Sequence, residues 1–136
     1  MTFEEDLLQR VAQSPIAARL GRWNGVPTIH WGDRPEGAGL TAIVFTMIDP
    51  GLDYTHGGRD ALRIAQVQAD TLAPTYSDAR AVADALGLLL EGAAEVNGRT
   101  FTHGFIDLER DIPVVGVAGA RSVYGRTQRF SIYHKE

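Results

Sequence analysis

Two hydrophobic periods meet between Leu62 and Ala93. From Leu62 to Asp70 apolar and polar residues alternate, with Ala65, Val67 and Ala69 on one side and Ile64, Gln66, Gln68 and Asp70 on the other. That two-residue period predicts a strand. After Ala73-Pro74-Thr75 the spacing becomes helical, and Ala79, Val82, Ala83, Leu86, Leu89, Leu90 and Ala93 fall on one side. A strand that runs directly into an amphipathic helix must fold the helix back onto a sheet. Small residues on the strand's inner side let the helix sit close. Gly87 inside the helix costs up to ~1 kcal/mol against alanine, and it reads as a close contact with the sheet or with a neighbouring subunit. Gly92, or Gly98 after Val96-Asn97, supplies the helix exit.

The same reading extends to both ends of the chain. Thr2-Phe3-Glu4-Glu5 has the form of a capping box, and Glu4, Glu5 and Asp6 suit the positive end of a helix dipole. Phe3, Leu7, Leu8 and Val11 give that short helix its buried stripe. Ser14-Pro15 restarts a helical turn that carries Ile16 and Leu20 inward and stops at Gly21. Asn24-Gly25 marks a turn, and Thr28 to Trp31 predicts a short strand. Leu40 to Ile48 is apolar on both faces, which suggests a central strand covered on both sides. Thr100 to Arg110 and Ser122 to His134 predict two further strands joined by the loop Ile112 to Ala120. In the first, Phe101, His103, Phe105, Asp107 and Glu109 alternate with Thr102, Gly104, Ile106 and Leu108. In the second, Tyr124, Phe130 and Ile132 share a face with Gln128, opposite Val123, Thr127, Arg129 and Tyr133. The expected fold is therefore α+β: a mainly antiparallel sheet of four to five strands, packed by an N-terminal helix and one long central helix.

Composition narrows the function classes. A length of 136 residues suggests one domain, 1–136. With no cysteine, disulfides, thiolate metal sites and cysteine nucleophiles are excluded. The acidic N-terminus does not have the form of a signal peptide, and the apolar runs fall short of the ~20 residues that span a bilayer. A cytoplasmic product is expected, with no membrane partner. The net charge of −4 argues against a protein whose main task is gripping phosphates, but not against one that lets DNA slide past.

The sequence holds no constellation that names a reaction. His30, His56, His103 and His134 stand in no metal-binding spacing. His103, Asp107 and Glu109 share a predicted strand face, yet the first two would lie roughly 13 Å apart at strand rise. Gly57-Gly58-Arg59 lacks the context of a phosphate loop, and no serine sits in a nucleophile elbow. No cofactor or metal is expected, and the enzyme reading, a pocket near His103 and Asp107 with the Gly57-Gly58 loop, stands as the alternative. The connection Gly51 to Asp60 is longer than an ordinary hairpin, and such loops often carry binding. Asp53, Tyr54, His56, Arg59 and Asp60 are candidate contact residues there. The polar strand face Gln66, Gln68 and Asp70 is a second candidate interface.

From end to end the chain resembles the tail-completion (tail terminator) proteins of long-tailed phages and gene transfer agents. The resemblance runs through Ser14-Pro15-Ile16-Ala17 and Pro27-Thr28-Ile29-His30. Its most specific stretch is Arg63-Ile64-Ala65-Gln66-Val67-Gln68-Ala69-Asp70 leading by Thr75-Tyr76-Ser77-Asp78 into an Ala-rich helix. Gln128-Arg129-Phe130-Ser131-Ile132-Tyr133 is similar to the family's closing strand. The Gly-rich stretch Pro113 to Ala120 departs from the pattern. The resemblance implies a structural role without catalysis: a ring, usually hexameric, that caps the head-proximal end of the tail tube and joins it to the head connector. DNA would pass through the lumen, and the product would reside in the tail or neck of a particle assembled in a bacterial cytoplasm. Another neck component, such as a connector, would be more helical than this chain.

Overall fold

The computed structural model describes residues 2–20, 22–23, 26–32, 41–51, 54–55, 58–59, 63–115 and 123–135. Helix α1 (Phe3–Ala12) begins at Thr2, whose hydroxyl accepts from the Glu5 amide at 3.2 Å. A 3-10 turn, Pro15–Arg19, follows with Ser14 capping it. Strands β1 (Arg22–Trp23) and β2 (Val26–Pro27) pair on either side of Asn24-Gly25. Then come β3 (Ile29–Trp31), β4 (Ala42–Asp49) and the short pair β5 (Tyr54–Thr55) and β6 (Gly58–Arg59). The remaining elements are β7 (Arg63–Ala73), α2 (Tyr76–Glu91), β8 (Ala94–Val96), β9 (Arg99–Val115) and β10 (Val123–Lys135).

The main sheet has six strands in the order β3-β4-β7-β10-β9-β8. The α+β class holds, but the sheet is larger than expected and mixed, because β3 runs parallel to β4 with Ile29 opposite Ile43. The extra strand is β8, which forms a tight hairpin with β9. Asn97 and Gly98 both adopt positive φ, 51° and 83°, the requirement of a two-residue hairpin turn. Asn97-Gly98 is thus a hairpin signal, while Gly92 caps the helix. Strand β9 also runs on to Val115, through the first part of the expected loop 112–120; residues 116–122 lie outside the described part.

Strand β7 forms as its period predicts, and so does helix α2 except at its end, where Leu89 is only half-buried and Ala93 lies exposed beyond the last helical residue, Glu91. Ala65, Val67, Ala69, Thr71 and Ala73 are buried along one side of β7. Helix α2 starts at Thr75, whose hydroxyl accepts from Asp78 N, and buries Ala79, Val82, Ala83, Leu86, Gly87 and Leu90. These positions trace one helical stripe, which lies on β7, β9 and β10. Gly87 does make the expected close approach to the sheet: a Cβ there would stand 3.1 Å from Ile106 Cδ1. Phe45, Val67, Phe130, Ile132, Leu86 and Leu90 are completely shielded and form the centre of the core, each such side chain contributing about 1.5–3 kcal/mol. Strand β4 is covered only over its first half; Ala42, Ile43 and Phe45 are buried whereas Thr46, Ile48 and Asp49 are exposed.

Strand β9 departs from simple alternation. Irregularities between Arg129 and Phe130, and between Tyr133 and His134, mark β-bulges in its pairing with β10. Each bulge swaps the faces of the residues beyond it. Phe101, Gly104 and Ile106 therefore lie opposite His134, Ile132 and Phe130 on the helix side. Gly104 admits the end of α2, since a Cβ there would lie 2.3 Å from the Leu90 carbonyl oxygen. Backbone cannot rotate away as a side chain can. Gly104→Ala is expected to cost about 2 kcal/mol or more, read as a lowered denaturation midpoint with an unchanged slope.

Candidate interface on the uncovered face of the sheet

Both helices lie on one side of the sheet, α2 across its centre and α1 beside β3 and β8. The joint between them is polar and buried. On α1, Phe3, Asp6, Leu7, Arg10 and Val11 are buried, so one acid and one base sit in the apolar stripe. Asp6 pairs with Arg99 Nε at 2.7 Å and accepts from Asn97 Nδ2 at 3.0 Å. Arg99 in turn donates to His134 Nδ1 at 3.0 Å, and the His134 ring packs on Phe3 at 4.4 Å. Burial by itself would raise the Asp6 carboxyl. The hydrogen bonds from Asn97 and Arg99, with the charge of Arg99, more than offset it and hold the group below its ordinary value. Arg10 Nη2 donates to the carbonyls of Leu89 and Gly92 at 2.5 and 2.8 Å. A cation thus closes the negative end of the α2 dipole, and its burial lowers the Arg10 pKa.

The opposite side of the sheet carries no helix among the described residues. Strand register lays its side chains out in rows. One row is Thr46, Gln68, Arg129 and Leu108; the next is Asp49, Gln66, Ser131 and Phe105; the third is Ile64, Tyr133 and His103. Gln66, Gln68 and Asp70 occupy this face as expected, all half-buried. Asp70 is held in place, accepting from Thr127 Oγ1 at 2.8 Å and from Gln68 Nε2 at 3.3 Å. The polar rows give way to an aromatic corner. His103 stacks on Tyr133 at 4.3 Å, and Phe105 stands edge-on to both at 5.2 and 5.9 Å. Phe105 is 53% exposed, with Ile64 and Leu108 at 41%. A band of fixed polar groups beside an open aromatic and aliphatic corner suits contact with another protein surface.

The sequence assigned the glutamines and Asp70 to this face but missed the aromatic corner. Its signal was present: large apolar or aromatic residues at Ile64, Phe105 and Tyr133 on strands whose other side is already apolar. Of the loop candidates, Asp53, His56 and Asp60 lie outside the described residues. Tyr54 and Arg59 are paired backbone partners in β5 and β6.

Of the alternative enzyme reading, His103 and Asp107 lie among the described residues, as does Glu109, which was expected on the same strand face. His103 is engaged by Tyr133, and Asp107 accepts a short hydrogen bond from Ser131 Oγ. Glu109 does not share their face as the alternation predicted. It turns to the helix side, where it pairs with Arg126 at 2.8 Å and accepts from Gln128 Nε2. Gly57 lies outside the described residues. Among the described residues no group of three or more metal-ligating side chains could hold an ion, and no helix is long and apolar enough to cross a membrane.

No family model matches the sequence, and no curated protein matches it. Solved structures do resemble the fold. One is a chain from the virion of a native gene transfer agent particle, 14% identical, with a TM-score of 0.63 over 98% of this chain and 95% of that one. A second solved chain, 10% identical, superposes with a TM-score of 0.54 over 95% of this chain and 92% of the other. The α+β arrangement described above is therefore one that a component of a gene transfer agent virion also adopts, essentially end to end.

Proposed function

We propose that this chain is a structural component of a phage or gene transfer agent particle, acting by contact and without catalysis. The observation that carries the reading is the fold shared over nearly its whole length with a chain of a gene transfer agent virion. The sheet face that carries no helix among the described residues supports it, because such a face offers a broad rigid surface for a neighbour. In its specific form the reading is a tail terminator: 1–136 is a single domain that closes into a hexameric ring, caps the head-proximal end of the tail tube and joins it to the head connector. DNA passes through the ring in transit. Gln66, Gln68 and Asp70, with the aromatic corner, serve one contact of that ring. The loop Gly51 to Asp60, with Asp53, Tyr54, His56, Arg59 and Asp60, serves contact along the tail axis or between neighbouring subunits.

Composition of purified particles tests the general reading. Mass spectrometry is expected to find the chain in fixed ratio to the tail tube protein, and its absence from intact particles would overturn the proposal. The specific surface is tested by Phe105→Asp. That side chain is 53% exposed, so folding stability is expected to change by only about 0.5 kcal/mol, while incorporation into particles is lost. Normal incorporation of this variant removes the sheet face from the interface.

A further inference from the structure

Unpaired charge divides between the two sides of the sheet. On the side that carries no helix among the described residues, strand register and alternation place Arg110, Arg129 and Lys135. None of these cations makes an ion pair among the described residues. The carboxylates around them are already engaged within the chain. Asp70 accepts from Thr127 and Gln68, Asp107 from Ser131, and Asp49 from the Gly51 amide. Glu95 stands apart, at the outer edge on β8. Arg129 is the central cation, half-buried between Gln68 and Leu108. Its Nε is shut off from solvent without a hydrogen-bond partner, so an acceptor must approach the other two nitrogens of the guanidinium.

The helix side carries the opposite excess. Glu4 and Glu5 on α1, with Asp78 and Glu91 on α2, make no ion pair among the described residues. Against them stand only Arg19 and Arg63 among the described cations, because Arg10, Arg80, Arg99 and Arg126 are taken up by carbonyls or carboxylates of the same chain. Apolar surface is matched as well. Ile64, Phe105 and Leu108 are exposed on the first side, and Tyr76 and Leu88 on the second. The two sides are thus complementary to each other in charge and in apolar contact. We propose, resting on the ring reading above, that the helix-free face of one copy docks on the α1–α2 layer of the next. Arg129 receives a carboxylate through Nη1 and Nη2, a charge-assisted pair, while the aromatic corner covers apolar surface of α2. A two-fold dimer through either surface alone would set like charges together. The contact is therefore head-to-tail, and its repetition from copy to copy closes a ring.

Zero-length cross-linking of purified particles tests this docking. A carbodiimide condenses an amine with a carboxylate to an amide and takes up the water released, so only groups in direct contact are joined. Lys135 is the one lysine of the chain, and Arg129→Lys puts a second amine at the centre of the face. The expected product is a two-copy adduct in which the amine at position 129 or 135 is joined to Glu4, Glu5, Asp78 or Glu91 of the second copy. Arg129→Glu is expected to keep a cooperative melting transition and to lower incorporation about tenfold or more. A chain present in particles that gives adducts only with another protein, only between two helix-free faces, or from neither amine overturns the inference and leaves the assembly role standing. Normal incorporation of Arg129→Glu does the same. A chain absent from the particles overturns the assembly role itself, and this docking with it.

Discussion

A chain carrying Leu86→Asp is expected to show no cooperative thermal transition by circular dichroism, and Val67→Asp is expected to behave the same way. Leu86 and Val67 are both completely shielded where α2 meets the sheet. Each substitution removes a buried apolar side chain, at about 1.5–3 kcal/mol. It then places a carboxylate inside the hydrophobic core cluster. An unpaired buried charge costs several kcal/mol more even after its protonation. The total approaches the ~5–15 kcal/mol that holds an ordinary domain together. The control lies two residues along the same helix. Leu88 is 76% exposed, and Leu88→Asp is expected to melt within about 0.5 kcal/mol of the parent chain. Loss of folding in both Leu86→Asp and Leu88→Asp would mean that α2 packs differently.

The second large effect is expected at the joint between α1 and the sheet. Asp6 and Arg99 are 1% and 4% exposed, and each is the other's ionic partner at 2.7 Å. Removing one member strands the other, so Asp6→Leu and Arg99→Met are each expected to cost about 3–5 kcal/mol. Changing both together, Asp6→Leu with Arg99→Met, should recover most of that loss, because the desolvation of both charges disappears with them. Guanidinium denaturation of the four proteins measures the coupling directly. The pH dependence has a definite sign. The folded Asp6 carboxyl titrates below its ordinary value, so its contribution is fully present above the unfolded carboxylate pKa of about 4. It is then lost as pH falls through the lower, folded value. The double variant should lack this share of the acid destabilisation.

Sequence period was a good guide where one element used one period from end to end. Strand β7 and helix α2 show this: Ala65, Val67 and Ala69 face α2, while Gln66, Gln68 and Asp70 face away. It failed where geometry changed without a change in residue type. The bulges of β9 exchange faces between Phe101 and His103 and between Ile106 and Leu108, and no residue there announces a bulge. Direction is equally silent, so Thr28 to Trp31 predicted a strand but not the parallel pairing of Ile29–Trp31 with β4. Asp6 and Arg10 were legible in principle. They stand at the same helical spacing as Phe3, Leu7 and Val11 and so occupy the buried stripe, but a charge in a first turn reads naturally as a partner for the helix dipole. Their partners Arg99, and Leu89 with Gly92, lie some eighty to ninety residues away, beyond any local pattern. The polar half of the candidate interface could be placed from alternation alone. Its aromatic half needed β9 and β10 brought into register, which stacks His103 on Tyr133 and turns Phe105 against both.

The two faces of the sheet thus divide the work. One side is filled by α1 and α2 and fixed by the Asp6–Arg99 pair, the Arg10 cap and the shielded core. The other presents anchored polar groups and an open aromatic corner. The proposed role in a particle asks only that this second surface be rigid and correctly placed, which the first ensures.

The role proposed for this chain in its specific form is to complete a tail and join it to a head. Electron microscopy of particles from a strain lacking the gene tests it most directly. The account predicts filled heads without tails, together with free tails of irregular length, both corrected by supplying the intact chain. Normal-length tails already joined to heads in that strain would contradict it.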